Sequence, residues 1–405
     1  MKFNYANGKK TIVFIPTYDY LSNKLFLSFV DRLKDFNTIY INNDEYQEIK
    51  EDYNIISKFS YYLEVSCGRK PSKTKTLLER LKTIFIKNNI LRKKILYSVK
   101  NIKPDLIITT SDMSISFKSI KRHCDKKNIP MIIMQPSFFD YAKTSNMSYK
   151  DGVRKIINIF FEIYPKQAVW GAEDKNTILF LWGNFFKEFY NKEKDIRIVG
   201  NPVYDSYTPK PLLNKSNENL KGKLGISKQK VVTICTEAFG GLISNEDTSA
   251  LFNLYSEIIR ENQNNFFIIK LHPRDSLKDV KLKLKLNYSN YILIKDEYSL
   301  LNIFHITDIQ VSVASTSSLE AILLNIPVIL INPNRRININ NFFNGLVELR
   351  ANNLAEFNEC INIVSSKYWV KNFTLNRRKF LSLYLDSLGS ASLNIKKEIC
   401  LILND

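Results

Sequence analysis

Four consecutive hydroxyl residues, Ser315, Thr316, Ser317 and Ser318, follow a short apolar run and precede a helical segment that carries Glu320. At such a strand-to-helix corner, the free backbone N–H groups of the helix attract phosphate, and small hydroxyls add donors without crowding the ligand. The corner therefore predicts an anion-binding site. The same letters also fit the capping box S-x-x-E, in which the side chains of Ser317 and Glu320 satisfy N–H groups of their own helix.

A second group of donors, His272, Pro273 and Arg274, follows the apolar run 266–271. The proline interrupts any helix, and the two nitrogen-bearing side chains suit a diphosphate or a phosphoester. A histidine in this place is also an ordinary polar loop residue. The binding interpretation therefore depends on the neighbouring Arg274 and on the hydroxyl corner that follows later in the chain.

A third candidate segment, TEAFGG, follows the apolar run 231–234. Thr236 supplies a hydroxyl there, and Gly240 and Gly241 allow the backbone to approach a ligand closely. Ligands of doubly wound sheets bind beyond the carboxyl ends of the strands, so we expect these groups to face one crevice.

Seven short apolar runs, separated by helical patterns, are too continuous for strands with one wet face. They are residues 11–15, 105–108, 131–134, 231–234, 266–269, 309–313 and 328–331. Strands that are buried on both faces form a parallel sheet covered by helices, so the expected fold class is α/β.

The segment 104–137 echoes the segment 307–333. Each contains an Asp-led strand, a hydroxyl-rich corner, a helix and a strand that begins with Ile-Pro, which together make one βαβ unit. Two such units predict two Rossmann-like domains with a cleft between them. The expected divisions are an N-terminal domain at 1–205, a linker at 206–222, a C-terminal domain at 223–370, and helices that pack back across the domains at 371–405.

The 405-residue chain is 44% hydrophobic, which is enough for two domains with real cores. Its five cysteines form no CxxC pair, which argues against bridged secreted domains and zinc sites. The N-terminal apolar segment is too short for a signal peptide, and no run approaches the length of a membrane span. We therefore expect a cytoplasmic protein.

The formal net charge is +19, from 59 Lys and Arg against 40 Asp and Glu. Part of this charge lies in the segment 69–103, where basic residues flank an apolar stripe at helical spacing. One interpretation is a core-packing helix pair with a solvated basic face. Another is docking on an anionic membrane surface, where each Lys or Arg near the lipid contributes about 1 kcal/mol. Nucleic-acid binding is less favoured, because no zinc finger, RNP motif or KH loop accompanies the charge.

The motifs GNPVYDSY, TEAFGG, KLHPRDS and ASTSSLEAILLNIPVI occur in this order between residues 200 and 329. Together they resemble the GT-B glycosyltransferases of bacterial surface polysaccharides. The His-Pro pair followed by a Ser/Thr cluster is similar to the bacterial sialyltransferase, polysialyltransferase and capsular Kdo-transferase group, which uses CMP-sugars. PDLIITTSDMS, NIPMIIMQPS and VGNPVYD are similar to the wider superfamily that includes UDP-N-acetylglucosamine 2-epimerase.

The resemblance implies a sugar transfer from a nucleotide-activated donor, of the CMP-sialic or Kdo type or a UDP-sugar, to a hydroxyl of a growing bacterial surface glycan. It implies that His272 and the Ser/Thr cluster hold the nucleotide phosphate and that Glu320 binds the ribose hydroxyls. The C-terminal domain then holds the donor, and the N-terminal domain faces a glycan or glycolipid acceptor. The nucleotide-sugar is a substrate, so no cofactor is expected. No Asp-x-Asp motif stands where a metal-dependent transferase needs one, so we expect no metal.

Glycosyl transfer also needs a base for the acceptor hydroxyl, which we expect from the first domain, across the cleft. The acidic motif of the sialyltransferases has no clean match, since Glu173 and Asp174 lack the following glycine. The best candidates are Asp112, at the end of one strand, and Asp19, in the loop after the first strand. Asp140 is a third, less favoured candidate. Asp112 also fits a cap for the following helix.

Two other functional classes stay open. An epimerase would use the same fold and donor site without an acceptor, although STSS stands where its glycine-rich loop is expected. A basic nucleic-acid-binding protein would owe its affinity to phosphate contacts and show steep salt dependence. The buried strands and the paired crevice motifs argue against this last class.

Overall fold

The structure is a computed structural model of the 405-residue chain. It describes residues 8–16, 19–43, 53–66, 77–112, 114, 116–136, 171, 176–207, 215–227, 229–236, 245–273, 275–284, 286–313, 315–333 and 345–404. Within these ranges, the side chains at 19–21, 53–54, 77–88, 215–217 and 245 lie outside the description. The chain divides into two compact units, Met1–Ser206 with Leu383–Asp405, and Tyr207–Ser382.

The first unit is built on one parallel sheet. Its strands are β1 (Thr11–Ile15), β2 (Asn37–Asn43), β3 (Tyr61–Val65), β4 (Leu106–Thr109), β5 (Met131–Met134), β6 (Ile178–Leu181) and β7 (Ile196–Ile198). They lie in the order β3-β2-β1-β4-β5-β6-β7, and each neighbouring pair is parallel. The helices described before residue 206 are α1 (Asp19–Leu27), α2 (Tyr53–Lys58), α3 (Leu77–Ile102) and α4 (Phe117–Lys127).

The second unit repeats this arrangement. Its strands are β8 (Lys230–Cys235), β9 (Asn265–Lys270), β10 (Tyr291–Ile294), β11 (Ile309–Ser312), β12 (Val328–Ile331) and β13 (Glu348–Ala351). They lie in the order β10-β9-β8-β11-β12-β13, again all parallel. The helices that follow are α5 (Lys215–Lys223), α6 (Asn245–Glu261), α7 (Leu277–Leu284), α8 (Leu300–Phe304), α9 (Thr316–Leu323), α10 (Leu354–Val364), α11 (Lys367–Tyr384) and α12 (Ala391–Asn404). The boundary between the units falls near the end of α11, and α12 belongs to the first unit.

The strands near the middle of each sheet are buried on both faces. In β1, the successive residues Ile12, Val13 and Phe14 are all 0% exposed. Successive side chains of a strand point to opposite faces, so helices must cover both sides of the sheet. The predicted α/β class with two Rossmann-like units is confirmed, and all seven predicted apolar runs form strands.

The aspartates that precede β4 and β11, in the two similar segments of the sequence, make the same pair of hydrogen bonds to the adjacent strand. Asp105 precedes β4, where its backbone N–H donates to the carbonyl of Thr11 over 2.8 Å and its carboxylate accepts the Thr11 N–H over 2.7 Å. Asp308 precedes β11 and makes the same pair of bonds with Val231, both at 2.8 Å. Each aspartate thus extends the ladder between two central strands and helps to set their register.

The Asn-Ile-Pro segments end the helices of this repeat. Asn128 after α4 and Asn325 after α9 both have left-handed backbone, with φ of 53° and 61°. The next N–H, that of Ile129 or Ile326, donates back into the last helical turns. Asparagine tolerates this conformation better than most residues, and the following proline prevents the helix from continuing.

The segment GNPVYD anchors α12 to the first unit. The carboxylate of Asp205 accepts the N–H groups of Ala391 and Ser392, at 2.9 and 2.8 Å, at the start of α12. Gly200 has a φ of +84°, and a Cβ there would lie 2.4 Å from the carbonyl oxygen of Asp386. The helix then packs its apolar face on the core of the first unit. This motif therefore has a structural role in joining the C-terminal helix to the first sheet.

The basic segment contains one helix of 26 residues, α3, rather than the expected helix pair. In its described second half, Leu91, Ile95 and Val99 are buried at a spacing of four residues. Lys93 and Lys100 are exposed on a different face. This half of α3 therefore packs on the core and carries a solvated basic face. Over the part of the chain that the structure describes, no helix combines the length and apolarity needed to cross a membrane.

Gly183→Ala should destabilise the first unit, because a Cβ at this position would lie 2.5 Å from the backbone carbonyl carbon of Tyr384. Overpacking of this kind costs about 1–3 kcal/mol of unfolding free energy. Gly222→Ala is the matched control, since Gly222 lies in α5 and a Cβ added there would meet no atom of the described residues within 4 Å. This control variant should be neutral or stabilised by up to about 1 kcal/mol. Thermal unfolding of both variants measures the difference, and equal melting temperatures would contradict the close approach at Gly183.

Candidate functional site

Both sheets have a topological switch point, where the strand order reverses. It lies between β1 and β4 in the first unit and between β8 and β11 in the second. In doubly wound folds, ligands bind in the crevice beyond the carboxyl ends of the strands at this point. Thr236 directly follows β8, His272 follows β9, and Ser315 follows β11. Because β8 lies between β9 and β11, these three residues share one edge of the second sheet.

Thr236 and His272 are joined by hydrogen bonds. The backbone N–H of His272 donates to the Thr236 hydroxyl over 2.8 Å, and that hydroxyl donates to the Asp275 carboxylate over 2.6 Å. The backbone N–H of Asp275 donates to the carbonyl of His272 over 2.9 Å, which closes a turn with Pro273 in its second position. Thr236 and Asp275 are buried, whereas His272 is half-buried. The turn that carries the imidazole is therefore tied to the end of the neighbouring strand.

Two of the four hydroxyls at the corner are used inside the protein. The Ser318 hydroxyl lies 2.8 Å from the Ser312 hydroxyl and donates to Oε1 of Gln310 over 3.2 Å. The Ser317 hydroxyl accepts a bond from Nε2 of Gln310 over 3.4 Å. All four residues are buried. Ser317 and Ser318 therefore bind α9 to β11 and are committed to that contact.

The other two hydroxyls lie at the start of α9. Ser315 is the N-cap residue, with an extended backbone, and its hydroxyl accepts the N–H of Ser317 over 3.3 Å. Thr316, the first helical residue, is exposed. The alternative capping box between Ser317 and Glu320 is wrong, because the helix begins two residues earlier than that motif requires.

Glu320 is 5% exposed, and its Oε2 accepts a hydrogen bond from the Tyr207 hydroxyl over 2.7 Å. A ribose hydroxyl at this carboxylate would have to displace the Tyr207 hydroxyl or share the carboxylate with it. Tyr207 is the first residue of the second unit and lies 113 positions before its partner. No local pattern in the sequence identifies such a pair.

In the first unit, Asp112 lies in the corner between β4 and α4 and is 2% exposed. Two residues before it, the Thr110 hydroxyl lies 2.7 Å from the hydroxyl of Ser22 on α1. The N-cap position of α4 is Ser116, so the alternative role of Asp112 as the cap of this helix is wrong. Asp19 is the first residue of α1. The two candidate bases thus follow β4 and β1, the two strands at the switch point of the first sheet.

The sequence analysis did not single out two residues at the carboxyl ends of the second sheet, Asp275 and Lys270. The signal for Asp275 is Pro273. Proline favours the second position of a four-residue β-turn, and the backbone N–H of the fourth residue, here Asp275, closes such a turn. Lys270 is the last residue of β9, and its ammonium group donates to the carbonyl of Lys295. Burial lowers the pKa of this ammonium group, and the nearby negative charge of Asp296 offsets part of the shift. The strand β9 therefore ends in a basic residue two positions before His272.

The remaining predicted positions lie outside the described residues: Asp140, Gly240, Gly241 and Arg274. Among the residues that are described, no group of three His, Cys, Asp or Glu side chains is arranged to hold a metal ion.

No protein-family model matches the chain, and no curated protein matches it significantly. Solved structures match its fold over nearly the whole length. A glycosyltransferase from Rickettsia africae ESF-5 is similar with a TM-score of 0.58 and 14% identity, covering 98% of both chains. UDP-N-acetylglucosamine 2-epimerase from Neisseria meningitidis, bound to UDP-GlcNAc, is similar with a TM-score of 0.61 and 15% identity, covering 97% of this chain and 100% of the other.

A UDP-glucosyltransferase from Polygonum tinctorium is similar with a TM-score of 0.58 and 13% identity, covering 99% of this chain and 100% of the other. At these identities, the likeness establishes the fold. The chain therefore has the two-unit α/β architecture that GT-B glycosyltransferases share with UDP-N-acetylglucosamine 2-epimerases.

Ser318→Ala should lower the free energy of unfolding by about 1–3 kcal/mol, because the buried oxygens of Ser312 and Gln310 lose this partner. Thr316→Ala is the matched control at an exposed position of the same helix and should change stability by less than about 0.5 kcal/mol. Denaturant unfolding measures both values. Equal stabilities would mean that the Ser318 hydroxyl does not belong to a buried network.

Proposed function

We propose that this protein is a glycosyltransferase that moves a sugar from a nucleotide-activated donor to a hydroxyl of a growing bacterial surface glycan, such as a capsule, lipooligosaccharide or O-antigen. The observation that carries the proposal is the edge of the second sheet, where Thr236, the His272 turn and the start of α9 follow three adjacent strands beside the switch point. The fold shared with glycosyltransferases of known structure supports the same class.

The donor is proposed to be a CMP-activated sugar of the sialic acid or Kdo type, because the His-Pro turn and the Ser/Thr corner resemble the transferases that use such donors. A UDP-sugar is the alternative, since structural neighbours from Neisseria meningitidis and S. aureus bind UDP-GlcNAc and UDP. A thermal-shift series with CMP, CDP, UDP, GDP and their sugars separates the two, because a ligand selective for the native state raises the melting temperature. Absence of a shift with every nucleotide would contradict the proposed function.

In the transfer, the acceptor oxygen forms a bond to the anomeric carbon while the bond from that carbon to the nucleotide phosphate oxygen breaks. The acceptor proton passes to a base, and negative charge develops on the leaving phosphate. His272, Arg274, the Thr316 hydroxyl and the positive end of the α9 dipole would stabilise that charge. We propose that no metal takes part, so transfer should persist in excess EDTA. Activity that EDTA removes and Mg²⁺ restores would refute this part.

Asp112 is proposed as the base, with Asp19 as the alternative. Asp112 is a buried carboxylate at the carboxyl end of a central strand, the part of the fold where reacting groups of doubly wound enzymes lie. Burial in a site of low dielectric strengthens the interaction of a carboxylate with an incoming hydroxyl. Asp112 would therefore orient the acceptor hydroxyl before it takes its proton.

Peripheral contact with an anionic membrane surface, from the cytoplasmic side, is proposed for the outer face of α3. Lys93, Tyr97 and Lys100 follow one another at helical spacing on this face, and Tyr97 is 68% exposed. Basic side chains beside an exposed aromatic ring suit the boundary between lipid headgroups and water. A glycolipid acceptor would be presented at such a surface.

Epimerase activity is the second candidate, because the structural neighbours include UDP-N-acetylglucosamine 2-epimerases at a TM-score of 0.61. An epimerase needs no acceptor. Incubation with UDP-GlcNAc alone distinguishes the two activities, since a new sugar product would favour the epimerase and displace the transferase.

His272→Ala should lower kcat/KM for transfer by roughly 10²–10³-fold, because it removes a donor to the charge that develops on the leaving phosphate. The fold should stay intact, since His272 is half-buried and its backbone bonds do not depend on the imidazole. His305→Ala is the matched control, because His305 ends α8 and precedes β11 at the opposite edge of the sheet. Near-normal transfer by the H272A protein would refute the role in phosphate binding.

Asp112→Asn should lower kcat by roughly 10²-fold to 10⁴-fold with little change in donor affinity, because an amide cannot accept the proton. Asp105→Asn, at the other end of the same strand, is the control and should lower stability without affecting the chemical step. Steady-state kinetics with the donor identified by thermal shift measure both. A D112N enzyme with normal turnover, beside an inactive D19N enzyme, would move the base to Asp19.

Replacing Lys93 and Lys100 with Gln should weaken co-sedimentation with vesicles that contain phosphatidylglycerol, and wild-type binding should fall as salt rises. Lys278→Gln with Lys281→Gln removes the same charge from the exposed face of α7 and serves as the control. If vesicle binding changes neither with salt nor with the α3 substitutions, the basic face of α3 does not contact the membrane, and α3 has only its packing role.

A further inference from the structure

We propose that Thr236 and Asp275 are positioning residues for His272, and that the Thr236 hydroxyl does not itself contact the donor. This inference rests on the proposed role of His272 in holding a nucleotide phosphate. The sequence alone placed Thr236 among the donor-binding residues. The hydrogen bonds around it assign the hydroxyl to a different partner.

The direction of these bonds follows from the chemistry of the three groups. A carboxylate accepts hydrogen bonds, so the 2.6 Å contact between Thr236 Oγ1 and Asp275 Oδ2 uses the single hydroxyl proton of Thr236. A backbone N–H only donates, so the 2.8 Å contact from His272 uses a lone pair of the same hydroxyl. With its proton engaged by Asp275, the Thr236 hydroxyl has none left to donate to a phosphate oxygen.

Both polar groups of the His272 backbone are held by this pair. Its N–H donates to Thr236, and its carbonyl accepts the N–H of Asp275 over 2.9 Å. Thr236 and Asp275 are only 3% and 6% exposed, so water competes little for these bonds. The result is a closed ring of three bonds that connects the end of β8 to the turn after β9.

This ring matters for binding because His272 lies beyond the last paired residue of its strand. The ladder between β8 and β9 ends with Cys235 beside Lys270, two positions before His272. Without the ring, the remaining backbone bonds, from Thr236 to Lys270 and from Leu271 to Ile294, stop one residue before His272, and the imidazole gains freedom to move. A displacement of about 1 Å in a binding group is enough to lose much of its contribution.

Amide hydrogen exchange in the peptide that contains residues 266–276 tests the ring without any ligand. Thr236→Val keeps the shape of the side chain and removes the hydroxyl, and Asp275→Ala removes the acceptor. Both should accelerate exchange of the protected amides in this peptide by about 5–10-fold, the effect of losing one buried hydrogen bond. Thr236→Ser keeps the hydroxyl and should behave like the wild type.

Nucleotide binding by the same variants gives the functional measurement, with CMP and UDP as probes in calorimetry. T236V and D275A should each raise the Kd of the nucleotide by about 10-fold, whereas T236S should bind it with the affinity of the wild type. Thr233→Val is the matched control, because Thr233 lies within β8, three residues before Thr236, and the change breaks a buried 2.7 Å hydroxyl contact with Thr307, which precedes β11. It should lower the melting temperature without changing exchange in residues 266–276 or nucleotide affinity.

Three results would overturn the proposal. The first is weaker nucleotide binding by T236V with normal binding by D275A and unchanged exchange, which would mean that Thr236 contacts the ligand directly. The second is normal binding by both variants despite faster exchange, which would mean that the ring has no role in binding. A wild-type protein that binds neither nucleotide would count against the proposed function, whereas unchanged exchange in both variants would reject the ring itself.

Discussion

Parallel strands that are buried on both faces leave the strand ends as the place for polar chemistry, and the rest of this structure depends on that constraint. The amino ends and the carboxyl ends of the strands carry polar residues with different roles. At the amino ends, Asp105 and Asp308 pair with the backbone of the adjacent central strand and help to set register. At the carboxyl ends, His272 and Thr316 follow β9 and β11, the two neighbours of β8 in the second sheet. Similar polar residues therefore have structural roles at one edge and candidate binding roles at the other.

The hydroxyl corner shows how structure and binding share one segment. Gln310 and Ser312 are polar residues in a fully buried strand, and their side chains need hydrogen-bond partners. Ser317 and Ser318 supply these partners from the first turn of α9. The run of hydroxyls thus reflects the polar interior of β11 as much as any ligand. What remains for a phosphate at this corner is Thr316, because the N–H groups of Ser317 and Ser318 already donate to the side chain and the carbonyl of Ser315.

The two halves of the repeat differ at this corner. Residues 313–315 connect β11 to α9, whereas residues 110–116 connect β4 to α4. The short connection places a helix N-terminus close to the strand end, which suits an anion. The longer connection instead holds a buried carboxylate, Asp112. One βαβ arrangement therefore accommodates two different local environments, an exposed helix start and a buried carboxylate.

The fold class and the strand ends where polar chemistry was expected could be predicted from the amino-acid sequence. Seven continuous apolar runs identified the strands buried on both faces, because that environment leaves an uninterrupted hydrophobic signature. The strands β2, β3, β6, β7, β10 and β13 were missed. In β2, asparagines flank the apolar residues, and β3 and β10 are edge strands with partly exposed residues that weaken the pattern.

The pairing of polar side chains, by contrast, became visible only in the folded chain. The partners of Thr236 lie 36 and 39 residues away, and the partner of Glu320 lies 113 residues away. Hydrogen bonds over such separations depend on which strands are neighbours and on where each helix starts, and neither is encoded in a local pattern. For that reason the sequence predicted where polar residues follow the strands, whereas the position of β8 between β9 and β11 determined which of them are hydrogen-bonded to one another.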